Sequence, residues 1–185
     1  MQFTKALTAI AALLAALSTP ARAQMPSPSP NSSSTPAPVA SVPGLDINRY
    51  IGKWYEIASY PMFFQRNCVG NTTAEYALVP GGVSVDNRCR TANGSTDATG
   101  KATVVEGFGN ARLKVSFFWP FKADYWVIGL DADYRWAVVG NPNRKYLWLL
   151  SRTPQLPKEQ LDAALAAAAL QGYDLTQLKY TPHPN

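Results

Sequence analysis

From residue 54 to residue 151 the chain is cut into short apolar runs by turn-forming residues at near-regular spacing. The runs cover 54–60, 72–79, 83–90, 101–108, 112–118, 124–130, 134–139 and 145–151. Between them stand Pro80-Gly81-Gly82, Asn93-Gly94, Thr99-Gly100, Gly109-Asn110, Asp131-Ala132-Asp133 and Gly140-Asn141-Pro142-Asn143. Gly and Asn supply the positive φ that tight turns need. Within 83–90 the alternation is clean, with Val83, Val85, Asn87 and Cys89 on one face and Ser84, Asp86, Arg88 and Arg90 on the other. Eight strands joined mostly by short turns predict an all-β sandwich or barrel. The exception is a longer loop at 61–70. One later segment has helical period: Leu161, Ala164, Leu165 and Ala168 fall at i, i+3, i+4 and i+7. Pro157 suits its first turn and Gly172 its C-terminal cap. Residues 175–180 are expected to add a short strand.

The segments before this domain carry no fold signal. Lys5, the apolar stretch 6–17 and Ala21-Arg22-Ala23 read as a cleaved secretory signal over 1–23. The apolar stretch is too short to span a bilayer, so a membrane contact would be peripheral. No Cys stands directly after Ala23, which predicts an exported protein, periplasmic if the source is bacterial, without a lipid anchor. Residues 24–43 hold six Pro and six Ser and no charged or aromatic residue. Such a stretch cannot bury enough apolar surface to offset its ordering entropy and is expected to be a flexible linker. The domain proper is then 44–185, long enough for one sizeable core.

Charge and cysteine content exclude several functions. The formal charge of +5 falls to +3 without Lys5 and Arg22, and the basic residues are scattered. Nucleic-acid binding would need a basic stripe and a recognition motif. In an exported chain the two cysteines, Cys68 and Cys89, are expected to form one disulfide. Two Cys and one His cannot supply four zinc ligands, so no metal site is expected. The single His183 lies two residues from the end between prolines, where disorder is expected. No Ser–His–Asp or Cys–His constellation is then available, and no catalytic residue is assigned. Glu56 and Glu106 are weighed as a carboxylate pair for acid–base work.

Three ordered motifs stand out. Gly52-x-Trp54 opens the first strand, Asp131-x-x-Tyr134 marks the turn between the sixth and seventh, and Arg152 follows the eighth. Together they resemble the lipocalin family. The run 113–118, the pair Pro120-Phe121 and the run 146–154 are closer to its bacterial branch, the outer-membrane lipocalins. The second motif is partial, with Leu130 and Ala132 flanking Asp131, and the lipoprotein Cys of many bacterial members is missing. The resemblance implies an eight-stranded antiparallel up-and-down barrel with one C-terminal α-helix packed outside. It implies a floor made by Trp54 and Arg152, and a first loop lying over the mouth. It implies binding, transport or storage of a small hydrophobic ligand of the fatty acid or lysophospholipid type in the cell envelope, with no cofactor. The alternatives are an isomerase-like enzyme and a chromophore or haem carrier with Tyr125 or Tyr146 as axial ligand.

Period-two alternation then gives the lining. Counting back from Arg152, Leu150, Trp148 and Tyr146 face inward. Val115 and Phe117 join them from the fifth strand, with Leu113. The resemblance turns Tyr125 and Val127 of the sixth strand inward, and Trp126 outward under the helix. The second strand offers Ala74, Tyr76 and Leu78. Lys122 stands where it could meet an anionic head at the mouth, with Glu56 and Glu106 as further polar points.

Overall fold

The computed structural model describes residues 36–184. The expected signal segment and residues 24–35 of the expected linker lie outside them. The chain opens with a short helix, α1 (Ile47–Tyr50), then runs β1 (Gly52–Ser59), β2 (Gly70–Val79), β3 (Gly82–Thr91), β4 (Gly94–Val104), β5 (Arg112–Phe118), β6 (Phe121–Leu130), β7 (Trp136–Gly140) and β8 (Leu147–Ser151). A helix, α2 (Lys158–Leu170), and a two-residue strand, β9 (Lys179–Tyr180), follow. From β1 to β8 each strand pairs antiparallel with the next, β1 closes the ring by pairing with both β8 and β2, and β9 adds to β1. The eight-stranded up-and-down barrel and its outer helix therefore form as expected.

Several local features differ from expectation. Helix α1 has no apolar period to announce it. The Asp46 carboxylate caps it, accepting from Asn48 N at 2.9 Å. Thr99-Gly100 is not a turn but lies inside β4. Gly100 is small because a Cβ there would stand 2.8 Å from both the Phe117 ring and the Ser116 carbonyl. Tyr134 sits in the β6–β7 turn at φ 61° rather than in a strand. Pro157 occupies the N-cap of α2, one place before the first turn. Leu78 is exposed near the end of β2.

Residues 36–43 are not free linker. Val39 is buried, Val42 N donates to the Val127 carbonyl at 2.8 Å, and Ala40 N donates to Gln171 Oε1 at 2.9 Å. The valines supply the apolar area, and Val127, lying past the end of the β5–β6 ladder, supplies the acceptor. The structured domain thus begins ahead of Gly44.

Two apolar cores result. One fills the barrel and includes Trp54, Tyr76, Val115, Val127, Val139 and Leu150. The other lies between the barrel wall and α2, where Ala164 and Ala168 are fully buried against Ile128, Val138 and Leu149. The wall admits the helix because Gly129 has no side chain: a Cβ there would lie 2.8 Å from Ala167 Cβ.

Above Tyr55 and Thr73 the β1–β2 ladder ends, and the C-terminal segment fills the seam. Strand β9 pairs with Ala58 and Ser59, Thr181 N donates to the Ile57 carbonyl at 3.0 Å, and Asn71 N donates to the Pro182 carbonyl at 2.9 Å. His183 is therefore seated rather than disordered. Its Nε2 lies 2.7 Å from the Glu56 carbonyl, and its ring meets Tyr55 edge-on. Cys68 and Cys89 are joined in a disulfide that ties the β1–β2 loop to β3.

Candidate functional site

The closed end of the barrel is built around Trp54. Its indole is fully buried, and Nε1 donates to the Tyr50 carbonyl at 2.8 Å. The Arg152 guanidinium lies 3.8 Å from the indole centroid. It donates to the carbonyls of Lys53 (2.9 Å), Arg49 (2.6 Å) and Tyr50 (3.2 Å). One side chain thus stacks on the plug and ties α1 and the start of β1 to the end of β8. Burial pulls the Arg152 pKa below its ordinary value. Gly52 adopts φ 90°, a conformation that favours glycine, directly beside Arg152 Nη1.

Asp131 and Tyr134 hold the neighbouring turn. The Asp131 carboxylate takes a two-pronged contact from Arg135, at 2.8 Å on each oxygen, and also accepts from Asp133 N and Arg135 N. These bonds lower its pKa, the Arg135 side chain contributing most. Tyr134 Oη accepts from Asp46 N at 2.9 Å, and the Arg49 guanidinium lies over its ring at 4.1 Å.

Above the floor three tyrosines cross the interior. Tyr50 and Tyr125 hydroxyls are 2.7 Å apart, and Tyr76 and Tyr125 hydroxyls 2.9 Å. Burial raises all three pKa values, Tyr76 to about 12 and the other two well above the ordinary tyrosine value. All three are therefore neutral near pH 7. Three hydroxyl hydrogens serve two bonds, so one remains to be donated elsewhere. The void beside them, lined also by Val83, Leu113 and Val115, measures about 10 Å³, the size of a single water. The lower half of the barrel is packed rather than hollow.

Above Tyr125 the barrel runs towards the loops joining β1–β2, β3–β4, β5–β6 and β7–β8. Glu56 pairs with Leu150 across the β1–β8 ladder, and antiparallel partners share a face, so it points inward. Glu56 is 6% exposed, and its carboxylate accepts from Gln65 Nε2 at 2.8 Å and Thr181 Oγ1 at 2.6 Å. Trp148 Nε1 donates to Gln65 Oε1 at 3.4 Å. Tyr146 stacks on Trp148 with centroids 5.9 Å apart, and Phe64 leans on Tyr146 at 6.0 Å.

The structure brings Tyr76, Val115, Tyr125, Val127, Trp148 and Leu150 to the inner core, leaves Tyr146 nearer the open rim, and sets the part-exposed Phe117 beside the groove that holds Lys122. Lys122 lines a groove of about 470 Å³ on the outer face of β4 and β5, with Lys101, Lys114 and Trp119, and not the lumen. Glu106 is exposed in the β4–β5 turn at the closed end, so it makes no pair with Glu56. Tyr50, Gln65 and Thr181 were not legible as site residues. They reach the lumen from a helix, a loop and the tail, where strand alternation says nothing. Asp46 ahead of 47–50 was the available sign of α1.

A family model described as a lipocalin-like domain matches residues 45–183. Outer membrane lipoprotein Blc of Vibrio cholerae is 41% identical over 149 residues, covering 78% of this chain and 86% of that protein. Temperature-induced lipocalin-1 of Arabidopsis thaliana is 39% identical over 157 residues, covering 76% and 81%. Among solved structures, insecticyanin from Manduca sexta superposes with a TM-score of 0.66 over 80% of this chain and 85% of that one. At 21% identity that likeness speaks for the fold alone. Matched by the family model over nearly all of its described length, and by relatives this similar over most of theirs, the chain belongs to the lipocalins and is of the bacterial type.

Proposed function

We propose that this lipocalin binds and carries a small hydrophobic ligand in the upper half of its barrel, without acting on it chemically. The observation that carries the reading is an inner core sealed at one end by Trp54 and Arg152 and continued towards the open end by Trp148, on which Tyr146 stacks. Such a lining suits an elongated apolar chain with its polar head at the mouth. A fatty acid or a lysophospholipid has that shape. With the lower half filled by the tyrosines, the terminal methyl stops near Tyr125 unless those rings move. The leader reading of 1–23 supports a place in the cell envelope, as do relatives named outer membrane lipoproteins. Against an isomerase stand the separation of Glu56 from Glu106 and the seating of His183 on a backbone carbonyl. Against haem ligation by Tyr125 stands its engagement with two other tyrosines.

The test is a titration with oleate and with lysophosphatidylcholine, followed by tryptophan fluorescence and by displacement of an apolar dye. Trp148→Ala should weaken binding by about tenfold, the worth of one lost aromatic contact, and leave the circular dichroism of the barrel unchanged. The absence of both quenching and dye displacement in the wild-type protein would refute a lipid pocket.

A further inference from the structure

The open rim carries a feature that the ligand reading does not use. The tip of the β5–β6 hairpin exposes Phe118, Trp119 and Phe121 at 79%, 90% and 77%. In the β1–β2 loop at the same end, Phe63 and Phe64 are exposed at 77% and 54%. Large apolar side chains gathered at one end of a molecule mark an interaction site. Cations accompany them. Arg66, Arg90, Lys122 and Lys145 are all exposed on loops or strand ends at this rim, and none forms an ion pair among the described residues. Two carboxylates at this end are otherwise engaged, Asp124 by Lys114 at 2.6 Å and Asp174 by Thr176 and Gln177, while Asp97 is exposed on β4 across from Arg88.

We propose that this rim docks peripherally on an anionic phospholipid surface, with Phe118, Trp119 and Phe121 entering the interface between headgroups and acyl chains. Aromatic side chains favour that layer, and cations beside them gain from the negative surface potential of acidic lipids. A rim-to-rim pairing of two copies would instead set the four cations against their like. Docking in this orientation turns the mouth of the lumen towards the lipid. The proposal stands whether or not the lumen holds a ligand.

The experiment is co-sedimentation of the full chain with vesicles of phosphatidylglycerol and phosphatidylcholine, and with phosphatidylcholine alone, at low and raised salt. Binding should favour the acidic vesicles and fall with salt. The triple variant F118S/W119S/F121S should lose more than about tenfold of its partitioning, since three apolar side chains no longer leave water. Its melting temperature should stay unchanged, because the replaced side chains are exposed. Brominated acyl chains should quench a fluorescence component that disappears in W119F, a variant that still binds. Equal binding by the triple variant, or no quenching that depends on Trp119, overturns the proposal. So does a wild-type dimer in light scattering that the triple variant loses while vesicles bind neither protein, which would give the rim to a second copy.

Discussion

Arg152 does its work through geometry rather than charge alone. A planar guanidinium can stack on an indole and still direct its N–H groups to several carbonyls, which a lysine cannot do. Truncating the indole beneath it removes the plug and the stacking partner together. Trp54→Ala should therefore cost about 3–5 kcal/mol, the range for large aromatic truncations, seen as a lower midpoint in denaturant. A midpoint equal to wild type would show that the floor carries no such weight. At this scale the motif residues were legible, because Trp54 and Arg152 stand at fixed places relative to strand ends. The roles of Tyr50 and Thr181 were not. Both depend on how distant segments meet once the ring has closed, which no local pattern encodes. The inward turn of Glu56 follows from period two, because it stands two places after Trp54 and ahead of the bulge before Ala58, whereas its partners Gln65 and Thr181 come from a loop and the tail.

Elements reveal their logic in what is missing from them. Helix α2 approaches the wall because its buried positions are alanines and because β6 carries Gly129 beneath Ala167. Gly129→Val should push the helix outward and destabilise by about 1–3 kcal/mol, as overpacking does. An unchanged melting temperature would mean that the helix seat is soft. The hairpins and the helix could be read from period and turn residues, and the up-and-down strand order from the family resemblance. Thr99-Gly100 misled because glycine has two uses. A turn needs its φ freedom, while a strand beside an aromatic ring needs its small size, and both read alike in sequence. Residues 36–43 misled in a similar way. Their composition is that of a linker, yet Val39 and Val42 are enough to dock once a barrel wall exists to receive them.

For the molecule as a whole, the sheet order follows the chain, so each new strand adds beside the last. The Cys68–Cys89 bridge is an exception to this local bookkeeping, because it spans β2 and pins the mouth loop to β3. Replacing both cysteines by serine should cost about 3 kcal/mol in the chain-entropy account of a loop this size, with the loss read from thermal unfolding under non-reducing conditions. A variant as stable as wild type would show that the loop is held by its other contacts. The extent of the interior was the least legible property at this scale. Strand alternation says which side chains point inward, but whether they meet, as the three tyrosines do, is settled by rotamers and barrel curvature.

The seam has a consequence for biosynthesis. The earliest strand to leave the ribosome waits for the latest ones, since Tyr55 faces Ser151 and Ala58 faces Tyr180. Until those residues emerge, the nascent sheet stays curled and unjoined along one side, and assembly must finish after translation is nearly complete.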